Sequence, residues 1–328
     1  MTLTVSRRDC LIALGAAALA PTSWAQTPAW PTRAVSIVAP TGAGSGTDMI
    51  ARIVAEKLAT ALGQPFVVQN RPGANGLLGL EHTLRQPADG YTLTLVTSSS
   101  TVVNQALQPK LPYDVTQDII PIIFVAAAGS HLVVTPDFPA KTLGEFIDLA
   151  RAEPDKYDYG SWGLGSSGHL LMEWLMSQAK ISLRHVPYKT VSQIYPDLQG
   201  GRLKVAWVDS ASSIPLIKSG ALRALTTSAS RRGPALPELP TFTEQGYPFN
   251  ADAWFGLFAP KGTPQNVIDT ANKVLRDGLQ EADYQQRLQQ LNLLNYAYME
   301  PQALQKVVSD DLAFWKTLVQ QNNISITN

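Results

Sequence analysis

Two glycine-rich turns constrain what this chain can fold into. Pro40-Thr41-Gly42-Ala43-Gly44-Ser45-Gly46 and Gly163-Leu164-Gly165-Ser166-Ser167-Gly168 each separate a short apolar run from an amphipathic one. Val35 to Ala39 has the length of a buried strand. After its turn, a helix beginning at Thr47 or Asp48 puts Ile50, Ile53, Val54, Leu58 and Leu62 on one face, and Gly63 stops it. The second turn follows a strand over Tyr157 to Trp162 and precedes a helix over His169 to Ala179. Further strands fall at Phe66 to Gln69, Tyr91 to Val96, His185 to Tyr188, Val205 to Val208 and Ala221 to Thr226, with helices at Leu77 to Leu84 and Leu143 to Arg151. This alternation predicts parallel βαβ units in two α/β halves. Ile119 to Ala127 and Leu132 to Thr135 are β-like runs broken at Gly129-Ser130. A proline-rich stretch from Pro234 to Pro248 precedes a strand over Trp254 to Ala259. Helices over Gln265 to Arg276, Ala282 to Gln290 and Pro301 to Gln320 follow it.

A strand–turn–helix junction is a natural place for an anion. The first N–H groups of a helix have no partner within it, and glycines let the backbone approach a ligand. Thr41, Gly42, Ala43, Gly44, Ser45, Thr47 and Asp48 on one side, and Gly165, Ser166, Ser167 and His169 on the other, are therefore candidate ligand-binding residues. A tight turn capped by Ser or Thr would carry the same residues without a ligand. Ser98 and Ser99 belong to a hydroxyl cluster, Thr97 to Thr101, that ends the third strand. Asp209 follows another strand near the presumed cleft. Trp162 and Trp207 sit at strand ends, where they serve either as core or as apolar walls for a ring-bearing ligand.

Other chemistries fit poorly. Gly163 to Gly168 matches the dinucleotide fingerprint G-x-G-x-x-G, but His185-Val186-Pro187-Tyr188-Lys189 lacks the acid that should end the next strand. Neither turn continues into the Gly-Lys-Ser/Thr of a phosphate-cradling loop. Neither Ser166 nor Ser167 fits G-x-S-x-G. The four histidines show no metal spacing, and Cys10 is the only cysteine, which excludes a disulfide framework. Lys plus Arg balance Asp plus Glu at 26 each, so a nucleic-acid groove is not expected. The expectation is a protein without cofactor or metal. A periplasmic hydrolase using Ser166 or Ser167 with His169 is the enzymatic alternative.

Arg7 and Arg8 precede an apolar run from Cys10 to Ala20, and Ser23-Trp24-Ala25 is a small-x-small cleavage pattern. These are the parts of an export signal spanning residues 1–25. Ser6-Arg7-Arg8-Asp9-Cys10-Leu11 resembles a twin-arginine signal with Cys10 where Phe is usual, so the Sec and twin-arginine routes both stay open. Cleavage after Ala25 leaves residues 26–328 without cysteine and without another stretch approaching 18 apolar residues. The expected location is the periplasm.

Several segments, in order along nearly all of the mature chain, resemble the Bug family, the periplasmic solute-binding components of tripartite tricarboxylate transporters. They are Trp30-Pro31-Thr32-Arg33, the first glycine turn through Asp48, and Asn70-Arg71-Pro72-Gly73-Ala74-Asn75-Gly76. Val186-Pro187-Tyr188-Lys189 has Thr190 where the family has glycine. Gly220 to Leu225, Leu236 to Thr241 and Trp254-Phe255-Gly256-Leu257 also match. The resemblance implies a type II periplasmic binding fold: two α/β lobes joined by a two-crossing hinge that close over a ligand. One lobe is expected to comprise 26–128 plus 252–328, and the other 129–251. Thr190 joins the candidate ligand residues through this match. The implied function is capture of a small organic carboxylate by a monomer and its delivery to membrane subunits of a secondary transporter, or to a sensor domain. The bulk of Trp162 and Trp207, where many members carry smaller residues, favours an aromatic acid such as a phthalate-type dicarboxylate. Aliphatic di- and tricarboxylates and amino acids are the alternatives.

Overall fold

The computed structural model describes residues 30–108, 110–249, 251–294 and 297–325. The export signal expected over residues 1–25 lies outside them. The chain forms two five-stranded sheets. The first contains β1 (Val35–Ala39), β2 (Phe66–Asn70), β3 (Thr92–Thr97), β4 (Ile119–Ala128) and β10 (Ala253–Pro260) in the order β2-β1-β3-β10-β4. The second contains β5 (Ser130–Val134), β6 (Asp158–Ser161), β7 (Arg184–Pro187), β8 (Val205–Asp209) and β9 (Arg223–Thr227) in the order β7-β6-β8-β5-β9.

The two sheets share one plan. In each, three parallel strands are linked by crossover helices, and the fourth position holds an antiparallel strand. That fourth strand is the one that has just arrived from the other sheet. β4 runs through Gly129 into β5, and the segment after β9 returns as β10. The break at Gly129-Ser130 is thus a crossing between lobes. Gly129 sits so close to Thr227 and the Ala229 amide that a Cβ would overlap both. The strands of the first sheet fall within 26–128 and 252–328, and those of the second within 129–251.

Helices α1 (Gly46–Leu62), α2 (Leu77–Leu84), α4 (Leu143–Ala152), α5 (Ser167–Ala179), α8 (Gln265–Gly278), α9 (Ala282–Gln290) and α10 (Pro301–Gln321) lie where hydrophobic periodicity puts them. Periodicity misses α3 (Asn104–Leu107) with the π-turn Ser99–Val103 before it, and also α6 (Ile194–Gln199) and α7 (Ser210–Lys218). Each is short. Pro196 lies within α6 and Pro215 within α7. The hydroxyls of the Thr97–Thr101 cluster bond their own backbone: Ser100 Oγ accepts from Thr97 N–H, and Thr101 Oγ1 donates to Thr97 C=O.

One core packs α1, α8 and α9 on the first sheet through Ile50, Val54, Leu58, Ile268, Leu275 and Leu288. A larger one joins α5 to the C-terminal helix α10 through an aromatic cluster: Trp174, Phe242, Phe249, Phe314 and Trp315. No helix among the described residues is long and apolar enough to cross a membrane.

Candidate functional site

The loops at the carboxyl ends of the parallel strands converge on a cleft between the sheets, where open α/β sheets place their ligands. Its volume is about 700 Å³ with the mouth included. The first sheet contributes Thr41, Gly42, Ser45 and Thr47 from the β1–α1 turn, Asn75 from the turn before α2, and Ser99 after β3. The second contributes Trp162 and Ser167 at the β6–α5 turn, Lys189 and Thr190 after β7, and Asp209 and Ser210 after β8. Phe255, on the returning strand β10, completes the wall.

Both glycine turns are built the same way. Gly44 and Gly165 have φ of 77° and 75°, the left-handed region that glycine enters at least cost. The next residue is the N-cap: Ser45 Oγ accepts from Asp48 N–H at 3.3 Å, and Ser166 Oγ accepts from His169 N–H at 3.2 Å. The side chain of that third residue then reaches back to the glycine. Gly44 N–H donates to Asp48 Oδ2 at 3.0 Å, and Gly165 N–H donates to His169 Nδ1 at 3.2 Å. Asp48 and His169 therefore brace the turns from behind and do not line the cleft. Burial pushes the Asp48 carboxyl up, but bonds from Arg52, Gly44 and Asn70 outweigh it and hold its pKa below the ordinary value. Burial lowers His169 to about 4, so its ring is neutral and can accept from Gly165. That ring stacks on His185 at 4.3 Å.

Each lobe also caps a helix of the other. The Gly46 N–H, at the start of α1, donates to the Asp209 carboxylate, which is itself the N-cap of α7. Burial raises the Asp209 pKa, and its bonds from Ser212, Gly46 and Ala211 oppose that rise. In the reverse direction, Ser99 Oγ accepts from Ser167 N–H at 3.1 Å, in the first turn of α5, and from Trp162 Nε1–H at 3.3 Å. It donates to Asn75 Oδ1 at 3.0 Å, and Asn75 Nδ2–H donates across the cleft to Gly165 C=O at 3.2 Å.

Seventeen residues were expected at the site from sequence, and nine line the cleft: Thr41, Gly42, Ser45, Thr47, Ser99, Trp162, Ser167, Thr190 and Asp209. Ala43 and Gly44 form the exposed tip of their turn, and Gly165 and Ser166 shape theirs. Ser98 is buried behind Ser99, where its carbonyl accepts from Thr101 and Val103. Trp207 requires correction. It is 0% exposed and packs on Phe242 at 5.5 Å. The register pairs it with Leu132, two residues short of the strand end, so Asp209 reaches the cleft edge and the indole stays in the core. Asn75, Lys189, Ser210 and Phe255 are lining residues that spacing alone did not single out. Asn75 carried a local signal, since it lies in a turn-rich segment with glycines at 73 and 76.

The family model described as "Tripartite tricarboxylate transporter family receptor" matches residues 50–324. The chain belongs to this family. As a tripartite tricarboxylate receptor it is a binding protein and not an enzyme. Ser166 Oγ bonds Ser161 Oγ and the His169 backbone N–H, so its hydroxyl is not paired with the imidazole as a hydrolase would need. The receptor is 36% identical to protein BugT of Bordetella pertussis over 253 residues, 76% of this chain and 78% of that one. A solved periplasmic transporter is 33% identical with a TM-score of 0.87, covering 91% of this chain and 100% of its own. R. palustris Rpa4515, solved with adipate, is 31% identical with a TM-score of 0.85, covering 90% and 99%. The two-lobed α/β periplasmic binding fold expected of the receptor is therefore its fold.

Proposed function

We propose that this receptor works in the periplasm, capturing a small organic carboxylate between its lobes and presenting it to membrane subunits of a tripartite transporter. An aromatic acid such as a phthalate-type dicarboxylate is the favoured ligand. One observation carries this reading: a hydroxyl-lined cleft that has the aromatic residues Trp162 and Phe255 among its lining residues. Hydroxyls and backbone amides suit carboxylate oxygens, and the rings suit a flat apolar middle. Ring stacking contributes about 0.5–1.5 kcal/mol beyond burial, roughly twofold to tenfold in affinity. The second reading is an aliphatic dicarboxylate, supported by the adipate in the R. palustris relative.

Titration of phthalate, adipate, succinate, glutamate and citrate, followed by tryptophan fluorescence and calorimetry at one pH and salt, separates the two. Under the aromatic reading phthalate binds most tightly, and Trp162→Ala removes both that preference and most of the fluorescence change. Trp207→Phe leaves the affinity within about twofold, because Trp207 is core. Micromolar binding of adipate or succinate with no binding of phthalate overturns the aromatic reading and leaves the aliphatic one.

A further inference from the structure

The distribution of charge around the cleft is uneven. The two helix starts that face it already hold acceptors from the chain itself. Asp209 sits at the Gly46 N–H, and Ser99 Oγ at the Ser167 N–H. A ligand carboxylate placed at α1 would meet the Asp209 carboxylate. The remaining acceptors and donors lining the cleft are mostly neutral hydroxyls. Among the described residues, Lys189 is the only basic one that lines it. Lys189 is exposed, and no carboxylate among the described residues lies within ion-pair distance of it. Its backbone N–H donates to Gln193 Oε1 at 3.1 Å, which holds the loop in place. Its neighbour Thr190 touches Gly42 of the other lobe, so the loop meets the opposite lobe where the two close. A lysine is a compact charge on a flexible stem, able to follow a carboxylate at a solvent-facing position.

We propose that Lys189 is the charge-recognition residue of this receptor, its ammonium pairing with the outer carboxylate of the bound acid. The inference rests on the carboxylate reading above. It makes the cleft polar along its length, with Asp209 at one wall and Lys189 at the mouth. The outer group of the ligand is then selected for negative charge, while the group nearest Asp209 is selected for the ability to donate a hydrogen bond.

The test compares each diacid with its uncharged diamide: adipate with adipamide, and phthalate with phthalamide. Calorimetry is run on the wild type and on Lys189→Met, Lys189→Gln and Lys189→Arg. Loss of a hydrogen bond to a charged group corresponds to about tenfold to a hundredfold in affinity. Lys189→Met and Lys189→Gln are expected to weaken the diacid by that factor while leaving the diamide unchanged. Lys189→Arg keeps most of the diacid affinity. The association rate of the wild type should also fall more steeply with salt than that of the neutral variants. Lys189 is exposed, so melting temperatures should stay close to wild type and certify the fold. Equal diacid affinity in wild type and Lys189→Met overturns the proposal, as does equal weakening of diacid and diamide. If no carboxylate binds the wild type, the carboxylate reading fails and takes this one with it.

Discussion

Gly42 lies where the lobes meet. A Cβ there would come within 2.6 Å of Thr190 Cγ2, on the other lobe, and the φ of Gly42 is outside the left-handed region. Gly42→Ala is therefore compatible with its own turn and incompatible with closure. It should weaken ligand binding by about tenfold, the factor carried by about 1.4 kcal/mol of overpacking, with little change in melting temperature. Gly44→Ala has the opposite profile. Its φ is 77° and nothing lies within 4 Å of a Cβ, so strain of about 1 kcal/mol appears as lost stability at the exposed tip. Paired calorimetry and thermal melts on the two variants check this. Comparable loss of affinity in both would show that the turn as a whole, and not the contact with Thr190, governs binding.

The two glycine turns show how far an element can be read locally. Gly44-Ser45 with Asp48, and Gly165-Ser166 with His169, form the same brace with different chemistry. Their contacts span three or four residues, which is why sequence spacing located them. The brace on α5 is sensitive to pH. Burial lowers His169 to about 4, and burial followed by the neighbouring His169 lowers His185 to about 3, against an ordinary 6.5. The unfolded chain binds protons that the folded pair refuses, so the stability present above about pH 6.5 is lost as pH falls toward 3. Asp311 on α10 works against this. It is raised to about 7 by burial while accepting from Trp254 Nε1–H at 2.8 Å, so its share of stability is lost as pH rises through 7. The histidine contribution is isolated by difference: His169→Gln should lie below wild type in melting temperature at pH 7.5, with the gap narrowing at pH 5. A gap independent of pH would assign the loss to packing alone.

Closure of the whole molecule rests on reciprocal caps. Asp209 of the second lobe holds the start of α1, Ser99 of the first holds the start of α5, and Asn75 bonds Gly165 across the cleft. Neutral hydrogen bonds contribute about 0.5–1.5 kcal/mol each, and those to charged groups about 1.5–3 kcal/mol, enough to bias two states a few kcal/mol apart. Ser99→Ala combined with Asp209→Asn should shift the receptor toward an open form. Small-angle scattering on dialysed protein would then give a larger radius of gyration than wild type. An unchanged radius would locate the closing free energy in other contacts, such as that between Gly42 and Thr190.

Sequence by itself determined the family, the order of the strands and of the longer helices, and the two braced turns. These depend on hydrophobic period, on caps and on residues three or four apart, all of which act before any distant segment arrives. Tertiary structure decided which residues face the ligand. The pairing of Trp207 with Leu132 buries one tryptophan, while Trp162 at the end of its strand reaches the cleft. The two crossings decided that β5 and β10 enter sheets they do not follow in sequence. Asn75, Lys189 and Phe255 became neighbours of the same space only because both sheets turn their strand ends toward it. Such contacts join residues far apart along the chain, 90 positions in the case of Asn75 and Gly165. Their geometry is fixed by how the two sheets pack, which no local pattern of residues encodes.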